Sequence, residues 1–252
     1  MIDIFDINLE NASELIKSSK HLTAFTGAGI SVESGIPSYR GEGGLWTKYD
    51  TKSLEIIYFY SHPKDAWEVI RKIFYEYFGK AKPNDAHNAL AKLEKEGILK
   101  AVITQNIDNL HYEAGNNSVF EFHGNSKVLI CTKCSEKYKA EEVDLEKLPP
   151  ACNSCKGLLK PDFIFFGEGI PQAAYKNSFA EAEKADLFLL IGTTGLVQPA
   201  AYIPVKAKQN GAKIIEINPE RTAFTEQITD VFLKGKAGEV MKKLTDMIFE
   251  IQ

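Results

Sequence analysis

Four cysteines form two close pairs in the middle of the chain. They are Cys131 and Cys134, then Cys152 and Cys155, with two residues inside each pair and 17 between the pairs. This spacing is typical of a zinc ribbon, in which four thiolates complete the tetrahedral coordination of one Zn²⁺ and leave no position for water or substrate. Disulfides or unpaired thiols are the alternatives, although the N-terminal residues do not resemble a signal peptide and a chain kept in the cytoplasm suits disulfides poorly. The pattern predicts one structural zinc ion and no cysteine nucleophile.

A glycine-rich turn follows an apolar run near the N-terminus. Residues 27–29 read Gly-Ala-Gly, and such glycines permit a tight turn and close approach of a pyrophosphate to backbone N–H groups. Val32 stands where the third glycine of the dinucleotide fingerprint would fall, so a turn without a ligand explains the motif equally well. The loop 34–41 then continues with a proline, Tyr39 and Arg40, where an ordinary dinucleotide-binding unit would enter its helix directly.

Polar residues follow a second apolar run, at residues 101–104. The next five residues read Gln-Asn-Ile-Asp-Asn, and ligands bind at the carboxyl ends of strands in open α/β sheets. Asn106 and Asp108 could instead only cap the helix that follows. His123 comes after the apolar residues 119–122. A single histidine after a strand is more often structural than catalytic, so its type and position alone assign it no role.

Apolar runs alternate with helical patterns along the chain, which indicates strands joined by helices. The strand candidates are residues 22–26, 101–104, 187–191 and 213–217; an amphipathic helix precedes the first, and helical patterns cover 85–96 and 173–184. Each strand candidate is nearly all apolar, as a sheet covered by helices on both faces requires. We therefore expect an α/β fold with a Rossmann-like, doubly wound parallel sheet.

Two segments interrupt this alternation and predict smaller modules. Residues 128–160 hold the cysteines and too few apolar residues for a core, so a metal would have to supply folding energy. Residues 41–82 are rich in aromatic residues and suggest a helical insertion with a cofactor-binding loop. The Rossmann-like domain would then comprise residues 1–40, 83–127 and 161–252.

Composition excludes several classes of function. The net charge of −4 provides no global basic field, so we expect no nucleic-acid binding chiefly through phosphate contacts. There is no run of about 18 apolar residues, the length that a membrane-spanning helix needs. The first residues carry acids in place of a basic segment and an apolar core, so they do not resemble a signal peptide. We expect a cytoplasmic protein without membrane contact.

Taken together, the motifs resemble the sirtuin family of NAD-dependent protein-lysine deacylases. In family order they are GAGIS (27–31), GIPSYRG (35–41), TQNIDNLH (104–111), HGN (123–125), the two CxxC pairs, FFGE (165–168), GTT (192–194) and INPE (217–220). The resemblance covers about residues 12 to 245. It implies NAD as co-substrate, one structural zinc, and acyl-lysine proteins or peptides as substrates.

The resemblance also implies roles for individual residues. The cofactor pocket would comprise Gly27, Ala28, Gly29, Tyr39, Arg40, Gln105, Asn106, Ile107, Asp108, Gly192, Thr193, Thr194, Asn218, Lys236 and Ala237. Within it, residues 106–108 would receive nicotinamide, because Asp108 can accept hydrogen bonds from the carboxamide. The last six residues of that set would hold the adenosine half. Phe165, Phe166, Gly167 and Glu168 would bind the substrate peptide as an added strand.

The implied reaction assigns catalysis to His123 and Asn106. The acyl oxygen attacks C1′ of the nicotinamide ribose as nicotinamide leaves. His123 then takes a proton from the ribose hydroxyls, and the 2′-oxygen attacks the imidate carbon. A histidine suits this task because its unperturbed pKa of about 6.5 lies near working pH. The products are lysine, nicotinamide and O-acyl-ADP-ribose; a mono-ADP-ribosyltransferase and a non-catalytic NAD-sensing module are the alternatives.

The chain departs from the usual family pattern at Val32, Ser38, Tyr39, Gly195 and Gln198. These changes would alter ribose contacts or widen the acyl tunnel. The desuccinylating subgroup carries a Tyr-x-x-Arg pair in the helical insertion, and alignment through Trp67 brings Ile70 and Ile73 to those positions. We therefore expect an acetyl or longer apolar acyl group in preference to succinyl. Arg71 is nearby, but a lone arginine on a helix usually faces solvent.

Overall fold

The computed structural model describes residues 3–39, 44–77 and 80–250. Within these ranges the strands are β1 (Leu22–Thr26), β2 (Leu99–Thr104), β3 (Val119–Glu121), β4 (Gly124–Cys131), β5 (Lys137–Lys139), β6 (Leu159–Phe163), β7 (Leu187–Ile191), β8 (Lys213–Asn218) and β9 (Val231–Lys234). Six of them form a sheet in the order β3-β2-β1-β7-β8-β9, and every neighbouring pair in it is parallel. The predicted parallel sheet is confirmed.

Helices of the described chain cover both faces of this sheet. They are α1 (Ile4–Ser18), α2 (Leu45–Lys48), α3 (Ile56–Ser61), α4 (Pro63–Ile70), α5 (Asp85–Lys95), α6 (Leu110–Ala114), α7 (Gln172–Lys184), α8 (Tyr202–Gln209), α9 (Ala223–Gln227) and α10 (Ala237–Ile248). One core contains side chains of α1, α5 and α10, and another contains side chains of α7 and α8. Because successive strand residues face opposite sides, Ala24 joins the first core and Phe25 the second. This explains why the strands are almost entirely apolar.

The two interrupting segments pack against each other. Strands β5, β4 and β6 form an antiparallel sheet in that order. Strand β4 begins directly after His123. The helical segment contributes α2, α3, α4 and a π-helical turn, Arg71–Tyr77. Trp67 of α4 is fully buried between the two segments and donates its indole N–H to the Leu159 carbonyl at 2.9 Å. The polar cysteine segment therefore shares a core that the helical segment largely supplies.

No helix in the described residues combines the length and the apolar character that crossing a membrane requires.

Candidate active site

The carboxyl ends of the central strands lie together and are joined by hydrogen bonds. The chain crosses from β2 and β3 on one side of β1 to β7 on the other, so the topological switch point of the sheet lies at the β1–β7 boundary. Gln105, after β2, donates its N–H to the Thr26 carbonyl at 3.0 Å. Gly27, after β1, donates to the Ile191 carbonyl at 3.0 Å. The predicted loops thus meet at one edge, where such sheets bind ligands.

The close contact with the loop after β7 leaves room only for glycine at positions 27 and 29. A Cβ on Gly29 would lie 2.5 Å from the Gly192 Cα, and one on Gly27 would lie 2.8 Å from the Gly192 carbonyl oxygen. The Gly29 N–H donates to that carbonyl at 2.9 Å. The sequence predicts that these glycines approach a pyrophosphate, whereas in the structure their N–H groups bond to the protein itself. Ala28 is half-buried at the start of the 3₁₀ helix Ala28–Ser34.

Ser31 joins the two polar residues predicted to receive nicotinamide. Its hydroxyl donates to the Asp108 carboxylate at 2.7 Å and accepts from the Asn106 side-chain NH₂ at 3.2 Å. The same NH₂ group donates to the Gly27 carbonyl at 3.2 Å. Ser31 is fully buried and is absent from the predicted site residues. Its place in GAGIS was the available signal, but its partner lies 77 positions away.

Asn106 presents an acceptor that the described chain does not satisfy. Its Oδ1 is buried and has no hydrogen-bond partner there. A buried unpaired acceptor costs about 1–3 kcal/mol, so this atom requires a donor from outside the chain. The amide or hydroxyl groups of NAD carry such donors, and the pocket therefore fits this cofactor. Ile107 packs beside it, 6% exposed.

Asp108 has two structural partners and a perturbed acidity. Beside the bond from Ser31, its carboxylate accepts the N–H of Leu110, the first residue of α6, at 3.1 Å. Asn109 is the N-cap residue of α6, yet the Asp108 side chain still satisfies a backbone N–H of the first helical turn, so the predicted alternative of a structural role is partly met. Burial raises the pKa of Asp108, and the hydrogen bonds from Ser31 and Leu110 oppose that rise.

His123 is held in one tautomer by a backbone contact. Its Nδ1 lies 3.0 Å from the Gln105 carbonyl, which can only accept, so Nδ1 must carry the proton. Nε2 then keeps its lone pair, and it makes no hydrogen bond within the described chain. Burial lowers the pKa of His123, and the bond to Gln105 partly opposes this. Near pH 7 the ring is a neutral base with its acceptor nitrogen unengaged.

Aromatic rings connect the cofactor loop with the FFGE segment. Tyr39 stacks on Trp46 with ring centroids 5.1 Å apart, and Trp46 meets Phe166 edge-on at 6.3 Å. Burial and the nearby Asp108 charge raise the pKa of Tyr39, so its hydroxyl stays protonated at neutral pH. Trp46 is a second residue absent from the predicted set. Arg40, predicted to line the pocket, lies outside the described residues.

The predicted adenosine residues line the ends of β7, β8 and β9. Gln105 donates its side-chain NH₂ to the Thr193 hydroxyl at 2.9 Å, and Asn218 donates its NH₂ to the Thr193 carbonyl at 3.1 Å. Thr194 is exposed, as is Lys236, which pairs with Glu239 at 3.3 Å. The backbone bond from Gly235 to Asn218 brings the loop with Lys236 and the buried Ala237 to the same edge.

The FFGE segment forms a tight turn, and some of its backbone N–H and C=O groups already have hydrogen-bond partners within the protein. Glu168 donates its N–H to the Phe165 carbonyl at 3.0 Å, and Gly167 has φ +88°, which the third position of a type II turn requires. Phe166 uses both backbone groups in a bridge to residues 54–56. Within the described chain the Gly167 N–H and C=O remain unpaired. Fewer than the four predicted residues therefore offer free backbone groups to which a peptide could pair. Phe166 adds an exposed ring at the same place.

The four cysteines lie close enough together for one metal ion. Their sulfurs lie within 4.8 Å of one another, with three separations of 3.4 to 3.6 Å. Tetrahedral zinc with Zn–S bonds of 2.3 Å needs sulfur separations of about 3.8 Å. The set of four thiolates therefore fits one structural Zn²⁺. A Cβ on Gly157 would come within 2.9 Å of the Cys131 sulfur, so glycine lets the backbone pass beside the cluster.

One sequence departure has a structural cause. Gly195 has φ +73°, and a Cβ there would lie 2.9 Å from the Phe224 ring. An aliphatic side chain would therefore be strained by the backbone and blocked by that ring. The Phe224 ring thus makes glycine the fitting residue after the GTT motif in this chain.

Comparison with known proteins identifies the family. The chain matches the model of the Sir2 family over residues 27–199. An NAD-dependent protein deacylase of Pyrococcus furiosus is 47% identical, covering 96% of this chain and 99% of that protein. NAD-dependent protein deacetylase 1 of Pyrobaculum aerophilum is 42% identical, covering 98% and 97%.

Solved structures agree with these relatives. A Sir2 homologue in complex with NAD has a TM-score of 0.89 and 41% identity, covering 96% of this chain and 94% of that chain. A Sir2–p53 peptide–NAD⁺ complex has a TM-score of 0.88 and 35% identity, covering 95% and 98%. The family model and the relatives together cover the sheet edge, the FFGE turn and the cysteine cluster, and on this evidence the chain belongs to the Sir2 family, as its motifs predict.

Proposed function

We propose that this protein is an NAD-dependent protein-lysine deacylase that acts mainly on acetyl-lysine, with His123 as the general base. The observation that carries the proposal is the protonated Nδ1 of His123, bonded to the Gln105 carbonyl at 3.0 Å. That bond leaves Nε2 as a proton acceptor at the edge of a pocket containing an unsatisfied acceptor on Asn106. Binding alone would not require a base at this position.

His123 has the protonation state that the reaction requires. Since burial lowers its pKa, the ring is neutral near pH 7 and can accept a proton at Nε2. NAD supplies the nicotinamide leaving group and the ribose hydroxyls. His123 takes the hydroxyl proton, and the Gln105 carbonyl stabilises the charged ring that results. This division of roles supports His123 as the base.

The nicotinamide end of the pocket uses Asn106 and Asp108. Asn106 is oriented by Ser31 and the Gly27 carbonyl, which leaves its Oδ1 free for a ligand donor. Asp108 is fixed by Ser31 and Leu110 and keeps accepting capacity for a carboxamide. We assign the adenosine end to Gly192, Thr193, Thr194, Asn218, Lys236 and Ala237.

The acyl group should be apolar. Ile70 and Ile73, the positions aligned with the Tyr-x-x-Arg pair, are both buried in the core of the helical segment. Arg71 pairs with Glu146 at 2.9 Å and with Glu76 at 3.4 Å, so its charge is already engaged. These contacts support acetyl or a longer apolar chain in preference to succinyl. The Sir2–p53 peptide–NAD⁺ structure supports a peptide substrate, and we assign the binding of that peptide to the FFGE turn.

The experiment incubates the protein with NAD and matched acetyl-, succinyl- and myristoyl-lysine peptides. Nicotinamide release, peptide mass and O-acyl-ADP-ribose are measured for wild type, His123→Ala and the control His62→Ala, which changes an exposed histidine outside the pocket. We expect deacylation by wild type and His62→Ala and a loss of about 10²-fold or more in His123→Ala.

Other outcomes would select the alternatives. ADP-ribose on protein without deacylation would indicate a mono-ADP-ribosyltransferase, and NAD binding without nicotinamide release would indicate a sensing module. Equal activity of wild type and His123→Ala would refute the proposed base. The cytoplasmic location and the lack of nucleic-acid partners stay predictions.

A further inference from the structure

Lys160 is a buried cation with a complete set of partners. It lies on β6, and its side chain is 8% exposed. Its ammonium donates to the carbonyls of Pro161 at 3.0 Å and Phe163 at 2.8 Å and to the Glu168 carboxylate at 3.0 Å. These three acceptors match the three donors of an ammonium group. Lysine is rarely buried unless paired, so this arrangement indicates a fixed position for both charges.

Glu168 links the Lys160 ammonium to the backbone of the FFGE turn. The carboxylate oxygen that accepts from Lys160 also accepts the Phe165 N–H, at 2.7 Å. The Glu168 N–H in turn bonds the Phe165 carbonyl, which closes the turn. The ammonium also lies 4.5 Å from the centroid of the Phe165 ring. Lys160 thus contacts both ends of the turn, one through a carboxylate and the other through a ring.

Aromatic packing of Phe165 and the backbone bridge of Phe166 anchor the start of the turn, but its outer residue has no such contact among the described residues. Phe166 is tied to residues 54–56, while Gly167 has no hydrogen bond within the described chain. Gly167 is also the residue with the greatest conformational freedom in the turn. The direction of its N–H and C=O is therefore set by its two neighbours, Phe166, which is bridged to residues 54–56, and Glu168, whose carboxylate Lys160 holds.

We propose that Lys160 is a positioning residue for substrate: its ammonium, through Glu168, holds the FFGE turn in the conformation that binds the acyl-lysine peptide. The inference rests on the proposed deacylase function. It predicts a defect in peptide binding rather than in NAD binding, because the Lys160 ammonium contacts Pro161, Phe163, Phe165 and Glu168, none of which is a predicted NAD residue.

A neighbouring ion pair provides a matched control. Lys137, on β5 of the same sheet, pairs with Asp162 at 2.8 Å, but the two side chains are 62% and 37% exposed. Exposed pairs contribute little to stability, and this one does not contact the FFGE turn. Lys137→Met therefore makes the same chemical change in the same sheet and removes no hydrogen bond of the FFGE turn, although the Asp162 charge that it leaves unpaired also raises the pKa of Lys160.

The test compares wild type, Lys160→Met, Lys160→Arg and Lys137→Met, each checked for zinc content and melting temperature. Steady-state KM values for acetyl-lysine peptide and NAD are measured separately, and peptide binding is followed by fluorescence anisotropy. We expect Lys160→Met to raise the peptide KM about tenfold or more, as loss of a charged hydrogen bond implies, with the NAD KM unchanged. Lys160→Arg should recover part of the loss, and Lys137→Met should match wild type.

Each result of this test either supports or overturns the inference about Lys160. A folded, zinc-loaded Lys160→Met with unchanged peptide KM and anisotropy overturns the inference, as does an equal rise in both KM values. If Lys160→Met does not fold, Glu168→Gln tests the same pair, and a wild-type peptide KM for it is likewise contrary. A wild type without deacylation refutes the proposed function and the inference with it, whereas an active wild type with an unaffected Lys160→Met refutes the inference alone.

Discussion

His123 shows how one backbone contact can convert a common residue into a base. The Gln105 carbonyl fixes the proton on Nδ1, and Gln105 itself is held to β1 through its N–H. Burial lowers the pKa of the ring, which keeps it neutral near pH 7. The tautomer, the orientation and the protonation state therefore all follow from the meeting of β1 and β2 at one edge of the sheet.

Ser31 should matter to catalysis through the two residues that it orients. Ser31→Ala removes the hydroxyl that donates to the Asp108 carboxylate and accepts from the Asn106 side-chain NH₂. Loss of a hydrogen bond to a charged group costs about 1.5–3 kcal/mol, so we expect kcat/KM for NAD to fall about tenfold or more. Steady-state kinetics with saturating acetyl-lysine peptide would measure it.

Ser61→Ala is the matched control for that change. Ser61 lies exposed on α3, donates to backbone carbonyls of its own helix and contacts Nδ1 of the exposed His62 ring at 2.9 Å. It should retain wild-type kinetics. A Ser31→Ala protein as active as Ser61→Ala would show that Asn106 and Asp108 keep their orientation without the serine.

At the scale of elements, the contact between the β1 loop and the β7 loop requires glycine. Gly29→Ala would bring a Cβ to 2.5 Å from the Gly192 Cα, where backbone faces backbone and neither side can yield cheaply. Overpacking of this kind typically costs about 1–3 kcal/mol. We therefore expect a lower urea midpoint for Gly29→Ala and weaker NAD binding.

Gly169→Ala makes the same change where there is room. A Cβ there meets nothing within 4 Å, so the free energy of unfolding should stay the same or rise slightly. Urea unfolding of the two variants and wild type, followed by circular dichroism, would compare them. Equal midpoints for all three would contradict the close approach of the two loops.

The strand positions were predictable where the residues are apolar throughout. Residues 22–26 and 187–191 are predicted and observed as the same strands. The prediction begins β2 two residues late because Lys100 is an exposed polar residue within it, and it ends β8 one residue early because Asn218 is polar. Polar residues at strand ends are ambiguous in sequence and become strand only through pairing.

The site was predictable from ordered motifs, but its internal contacts were not. Motif order indicates Asn106, Asp108 and His123, whereas the bond from Ser31 to Asp108 depends on how β1 and β2 align. Lys160 in a charged segment resembles a solvated side chain, and only the return of the chain to residues 165–168 buries it. The glycines of the first loop signal a close approach without saying what approaches.

At the scale of the molecule, the candidate site lies where three cores meet. Ile30, in the 3₁₀ helix Ala28–Ser34, and Ile36, two residues after that helix, belong to different cores. Phe122, directly before His123, belongs to the third. The distance between Asn106 and His123 therefore depends on the packing of the whole fold, and conditions that loosen the fold should also disable the site.

Acid should loosen it through two buried histidines beneath the site. His87 on α5 and His111 on α6 lie with ring centroids 5.0 Å apart, and His111 contacts the Thr26 hydroxyl at 2.9 Å. Burial lowers the pKa of His87 to about 4, and burial with the neighbouring His87 lowers that of His111 to about 3. In the unfolded chain both would titrate near 6.5. Between these values the unfolded state binds more protons, so stability falls as pH falls below 6.5.

The loss should reach about 2 kcal/mol for each histidine by pH 5, since one pKa unit corresponds to about 1.36 kcal/mol. Urea unfolding at pH 7 and pH 5 would measure it in wild type, His87→Gln and His62→Gln. Because His87→Gln removes one of the two buried bases, its midpoint should shift less with pH than that of wild type. His62 is exposed, so His62→Gln should follow wild type. Equal pH shifts in all three proteins would mean that the buried pair does not govern acid stability.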